Sequence, residues 1–65
     1  MQDLKTGDVI KFVGDDEQKT VIREEVMARI DGVIFTRTVF DTGAVGSLNK
    51  PQLVEDLINF GWEKE

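Results

Sequence analysis

The dipeptide Asp31-Gly32, near the middle of the chain, constrains the fold more than any other local feature. Asp-Gly suits a two-residue type I′ turn, whose twist matches that of two antiparallel strands, and segments rich in β-branched residues flank it. We therefore predict a β-hairpin in which Ile30 lies opposite Val33 and Ala28 lies opposite Phe35 on one face.

Farther from the turn, the same register pairs residues poorly. It sets Val26 opposite Arg37 and Glu24 opposite Val39, so that apolar and charged side chains share a face. One extra residue in a strand shifts the register and restores the alternation. We predict such a bulge near Glu24-Glu25.

A helix over residues 16–31 is the alternative interpretation. Ile22, Val26 and Ile30 recur every four residues, as on one face of a helix. The hairpin is favoured because β-branched residues are frequent in this segment and because residues 33–40 need a neighbouring strand.

A C-terminal helix is predicted over about residues 51–60. Pro51 suits the first turn, where its missing N–H costs nothing, and either Asn49 or Lys50 serves as the N-cap. Gly61 is expected to end the helix in a left-handed conformation, so that Trp62 either covers Leu57 or contacts a partner. The apolar stripe at helical spacing consists of Leu53, Val54, Leu57 and Ile58.

The predicted fold is a single α+β domain over residues 1–65, with a small antiparallel sheet of three to four strands followed by one helix. A strand over residues 9–13 comes first, and residues 42–48 form a short fourth strand or a loop. The opening sequence Lys5-Thr6-Gly7-Asp8-Val9-Ile10, the long hairpin and the terminal helix resemble small SH3-like barrels over residues 4–48. The resemblance implies a fold but transfers no functional residue.

Composition excludes most catalytic chemistry. The chain contains no histidine and no cysteine, and Ser47 has no recognisable activating partner. Residues 15–17 are acidic but lack the spacing of an EF-hand, and residues 43–46 lack a dinucleotide-binding pattern. We expect no enzymatic activity, no cofactor and no metal site.

Charge limits the choice of partner. The formal net charge is −5 and the pI is about 4.5, which disfavours nucleic-acid binding because that binding requires basic residues to neutralise phosphates. The N-terminal residues lack the pattern of a signal peptide and no apolar run could span a membrane, so we expect a cytoplasmic location. Compact acidic chains of this size also resemble accessory proteins of bacteriophages and mobile elements, many of which bind a host protein.

Candidate binding residues fall into two sets. The uninterrupted register would place Arg23 and Arg29 on one face, beside Ile34 and Phe40, so that with Arg37 they form either surface ion pairs or an anion site. Phe12, Phe35, Leu53 and Leu57 are expected in the core. Four other large apolar residues exceed what a small sheet and one helix can bury, and we predict that some of them contact a partner. They are Ile34, Phe40, Phe60 and Trp62.

Three functions are compatible with these features. The favoured one is a non-catalytic protein-binding or regulatory module, whose partner is another protein or a second copy of the chain. The alternatives are an acidic inhibitor of a nucleic-acid-binding host protein and an SH3-like nucleic-acid-binding domain that uses the arginines.

Overall fold

A computed structural model describes all 65 residues, as an antiparallel β-sheet with one short helix packed on it. The elements are β1 (Val9–Val13), β2 (Val21–Ile30), β3 (Val33–Val39), β4 (Val45–Leu48), β5 (Gln52–Leu53), α1 (Val54–Phe60) and β6 (Glu63–Lys64). The sheet order is β4-β3-β2-β1-β6, and β5 also pairs with β3. The α+β prediction is confirmed, but the sheet has six strands instead of three to four.

The β2–β3 hairpin is present with the predicted pairing beside its turn. Ile30 pairs with Val33 and Ala28 pairs with Phe35, so the helical alternative for residues 16–31 is wrong. The predicted type I′ turn is also wrong, because that turn needs positive φ at both central residues. Asp31 has a φ of 55°, whereas Gly32 lies outside the left-handed region.

The predicted bulge exists, but it lies at Met27 instead of near Glu24-Glu25. The register shifts between the Val26–Thr36 pair and the Ala28–Phe35 pair, which leaves Met27 without an opposing residue. Val26 is fully buried, and it reaches the core only if the extra residue lies between it and the turn. Burial of Val26 therefore fixes the position of the bulge.

The core lies on one face of the sheet, which we call the inner face, because β1, β2 and β3 all point apolar residues toward α1. Its buried members are Leu4, Ile10, Val26, Ile34, Val54 and Leu57. Of the residues predicted in the core, Leu57 is buried, Phe12 and Phe35 are only partly buried, and Leu53 is half exposed. Leu53 pairs with Val33, which faces away from Ile34 and the core, on what we call the outer face.

Helix α1 begins at Val54, three residues later than predicted. Gln52 and Leu53 are extended and pair with β3, and the Val54 N–H donates to the Gly32 carbonyl at 2.8 Å. Leu53 occupies the N-cap position without a side-chain hydrogen bond, so neither Asn49 nor Lys50 caps the helix. Pairing with the sheet therefore determines where this helix starts.

The predicted end of α1 is confirmed. Gly61 has a φ of 111°, and the N–H groups of Gly61 and Trp62 donate to the Leu57 carbonyl at 3.1 and 3.0 Å. This turn brings Trp62 back against the core that contains Leu57. No helix in the protein combines the length and the apolar character needed to cross a bilayer.

Candidate functional site

The structure separates the apolar residues predicted to meet a partner. Ile34 is fully buried in the core, so its predicted partner contact is corrected to a packing role. Phe60 and Trp62 lie together at the end of α1, whereas Phe40 follows β3 and lines a separate shallow cavity of about 170 Å³. These four residues therefore do not form one apolar surface.

The arginines do not form one cluster. Arg23 pairs with Val39 on the outer face and Arg29 pairs with Ile34 on the inner face, because the bulge at Met27 changes the face on which the earlier residues lie. The prediction that Arg23 and Arg29 share a face with Phe40 is thus wrong.

Each arginine is bound within the chain. Arg23 contacts Glu65 at 2.7 Å and Asp41 at 3.7 Å, and the hydrogen bond and charge of Glu65 raise the pKa of its guanidinium. Arg37 contacts Glu25 at 2.8 Å.

Arg29 instead donates to three carbonyl oxygens, those of Gln2, Leu4 and Asp31, at 2.6 to 2.8 Å. These bonds tie the N-terminal segment to the hairpin turn.

An apolar area on the outer face is the first candidate site. Ile30, Val33 and Leu53 form one row across three strands, because cross-strand partners point to the same face. Phe35 lies in the next row, and Leu48 lies opposite Arg37 on β4. We call Ile30, Val33, Phe35, Leu48 and Leu53 the outer patch.

Three members of the outer patch are well exposed, and Val33 and Phe35 are partly buried. Ile30 is 63%, Leu48 64% and Leu53 50% accessible, and no member carries a charge. The sequence does not reveal this site, because its pattern places Leu53 in a helix and gives Leu48 no partner strand. The apolar row becomes visible only when β5 is paired with β3.

A buried polar cluster lies on the inner face. The Thr36 hydroxyl is inaccessible, donates to Glu24 Oε1 at 2.7 Å, and accepts from Asn49 Nδ2 and Gln52 Nε2 at 3.2 Å each. Gln52 Nε2 also donates to Glu24 Oε1 at 3.2 Å. The cluster leaves no buried side-chain polar atom without a partner.

The second candidate site is a pocket beside this cluster. It has a volume of about 240 Å³ and is lined by Gln52, Asp56, Leu57, Phe60 and Trp62. We call it the helix pocket. Phe12 supports its aromatic wall, with ring centroids 5.5 Å from Phe60 and 5.7 Å from Trp62.

The acidic loop between β1 and β2 contains hydrogen bonds between its own residues. Asp16 accepts hydrogen bonds from the backbone N–H and the hydroxyl of Thr20, and both bonds lower the pKa of its carboxyl group. Its carboxylate thus stabilises the turn that connects the two strands.

Comparison with known proteins yields no relative for this chain. No protein-family model matches it, and no curated protein or solved structure is significantly similar. The function is therefore inferred from the surfaces of the protein itself.

Proposed function

We propose that the protein is a protein-binding module that contacts its partner through the outer patch. The observation that carries this proposal is the row formed by Ile30, Val33 and Leu53. Three apolar side chains lie next to one another across three strands, and the outer two are at least half exposed. Contiguous apolar surface of this kind marks interaction sites in soluble proteins more often than scattered apolar residues do.

The sheet edge beside the outer patch supports the same proposal. Strand β4 lies at this edge and has the uncharged sequence Val45-Gly46-Ser47-Leu48, whereas β6 at the opposite edge contains Glu63 and Lys64. Charged residues discourage pairing at an exposed edge, so β4 is the more receptive edge for an added strand. An extended segment of a partner, or β4 of a second copy, would there extend the sheet and cover Leu48.

The bonds of the arginines favour a protein partner over nucleic acid. Arg23 and Arg37 face carboxylates, and Arg29 is occupied by backbone carbonyls, so phosphate binding would have to displace contacts already made. The net charge of −5 opposes phosphate binding further. This balance supports the protein-binding proposal.

Affinity capture with matched variants tests the outer patch. Leu53→Lys places a charge at the centre of the patch, while Val13→Lys places one at an exposed apolar position on the same face but outside it. We expect the wild type and Val13→Lys to retain the same protein, or a second tagged copy of the chain, and Leu53→Lys to lose it. Circular dichroism of each variant confirms that it is folded.

Two outcomes contradict this function. Equal retention by Leu53→Lys and Val13→Lys would exclude the outer patch as the contact. A strict monomer that retains no protein would exclude the protein-binding role itself. A partner lost from the wild type at high salt would instead support the acidic-inhibitor alternative, which the net charge of −5 favours.

A further inference from the structure

We propose that the helix pocket binds a cationic side chain, a guanidinium or an alkylammonium group, of a protein partner. The polar groups of the pocket favour such a ligand. Asp56 is exposed, makes no ion pair within the chain, and offers only acceptor atoms when ionised. No lysine or arginine lines the pocket.

Gln52 adds a second acceptor. Its amide nitrogen donates to Glu24 Oε1 and to Thr36 Oγ1, which engages both of its hydrogens. The orientation of this amide follows from Thr36, whose hydroxyl already donates its only hydrogen to Glu24 Oε1 and can therefore only accept from Gln52. Gln52 Oε1 is therefore the free atom of the amide. With the Asp56 carboxylate it gives the pocket two side-chain acceptor groups, against one side-chain donor, the Trp62 indole N–H.

The aromatic wall suits the same ligand. Phe60 is 71% exposed and Trp62 is partly buried, and both rings rest against Phe12. The electron-rich faces of such rings attract cations, with Trp the most effective. Buried Leu57 supplies apolar surface for the methylene groups of a lysine or an arginine.

The size of the pocket argues for one side chain. Pockets for drug-sized ligands have volumes of about 300–1,000 Å³, and the helix pocket, at about 240 Å³, is smaller. Acceptor groups and a carboxylate disfavour an anion, and a purely apolar group would desolvate Asp56 without compensation. The net charge of −5 further attracts basic surfaces.

The assignment of the cation to a protein partner rests on the proposed function, whereas the preference for a cation rests on the pocket alone. The two proposals use different residues, since no member of the outer patch lines the helix pocket. Loss of partner capture in Leu53→Lys therefore tests the first proposal, and cation binding to the purified chain tests the second.

Trp62 provides the measurement, because the chain has one Trp and no Tyr, so its fluorescence reports on this pocket alone. The purified protein is titrated at low salt with N-acetylarginine amide and with N-acetylcitrulline amide, its neutral counterpart of nearly the same shape. We expect saturable binding of the arginine compound, at least about fivefold tighter than the citrulline compound. Equal affinities would overturn the proposal.

Two carboxylate variants test where the cation binds. Asp56→Asn removes the pocket charge, and Glu55→Gln removes the charge of the neighbouring residue, which does not line the pocket. We expect Asp56→Asn to weaken arginine-amide binding about fivefold or more and Glu55→Gln to leave it within about twofold. If both variants weaken arginine-amide binding equally, the attraction to the acidic protein is nonspecific and the assignment of the site is wrong.

A final comparison separates a partner side chain from a free small cation. An arginine-containing tripeptide with blocked ends is compared with putrescine in the same titration. Tighter binding of the tripeptide supports a protein side chain as the occupant. Tighter binding of putrescine overturns that part of the proposal and indicates a free polyamine.

Discussion

Thr36 uses the full hydrogen-bonding capacity of its hydroxyl group. The group donates once, to Glu24, and accepts twice, from Asn49 and Gln52. Because Thr36 is inaccessible to solvent, water cannot replace any of these partners. One hydroxyl therefore holds together polar groups from β2, β5 and the connection between β4 and β5.

Thr36→Val removes the hydroxyl and keeps the shape of the side chain. We expect a loss of about 1–3 kcal/mol of unfolding free energy in chemical denaturation, because Glu24 and two amide groups lose a buried partner. Thr38→Val is the control, since Thr38 lies on the same strand and face but its hydroxyl makes no hydrogen bond within the chain. Equal stabilities of the two variants would contradict this role of Thr36.

The polar cluster was beyond sequence-based prediction. Its bonds join residues 12 to 28 positions apart, such as Glu24 and Gln52, and no local pattern connects them. Asn49 was expected to cap a helix because its residue type is common there, and it contacts Thr36 instead. Trp62 was placed correctly because the glycine that precedes it determines the local geometry.

At the scale of elements, α1 depends on Gly61 to end and to turn the chain toward Trp62. A φ of 111° is accessible to glycine and strained for any other residue. A Cβ at this position would lie 3.6 Å from the Phe12 ring, an ordinary contact, so the backbone alone opposes substitution.

Gly61→Ala is accordingly expected to cost about 1–2 kcal/mol of unfolding free energy and to change Trp62 fluorescence. Gly32→Ala is the matched control, because Gly32 lies outside the left-handed region and has open space around its Cα. We expect Gly32→Ala to change stability by less than about 0.5 kcal/mol. If thermal and urea denaturation show the reverse order, the proposed role of Gly61 is wrong.

The elements that the sequence predicts correctly are those that depend on residues close together in the chain. The β2–β3 hairpin and the end of α1 each depend on a turn and on the pattern beside it. Strands β5 and β6 contain two residues each and exist only because β3 and β1 offer free edges. Because the sequence does not predict β5, it also does not reveal the outer patch, to which Leu53 of that strand belongs.

At the scale of the molecule, Asp8 links the two ends of the chain. Its carboxylate accepts the Lys5 N–H at 3.0 Å and lies 3.4 Å from Lys64 Nζ on β6. The Lys5 hydrogen bond, with the hydrogen bond and charge of Lys64, holds the pKa of Asp8 below its ordinary value. Lys64 also contacts Asp3, at 3.7 Å, so the same region joins the N-terminal segment to β6.

This arrangement predicts a specific response to acid. A carboxyl group whose pKa is lower in the folded than in the unfolded state stabilises the fold when the pH is above its unfolded pKa, which is near 4. This stabilisation is lost as the pH falls through the pKa of the folded state. We expect Asp8→Asn to be less stable than the wild type at pH 7 and the difference to shrink as pH falls below about 4.

Asp15→Asn is the control for this titration, because Asp15 is exposed and makes no hydrogen bond or ion pair within the chain. We expect it to change stability at pH 7 by less than Asp8→Asn does. A stability gap between wild type and Asp8→Asn that stays constant from pH 7 to pH 3 would show that the charge of Asp8 contributes nothing.

The bulge at Met27 determines which changes in length this sheet tolerates. Met27 opposes no residue of β3, so deleting it would leave Val26 opposite Thr36 and Ala28 opposite Phe35. Deleting Glu25 instead would bring Met27 opposite Thr36 and turn Val26 out of the core. If homologues of this chain differ from it by a one-residue deletion in β2, we therefore expect the deletion at position 27.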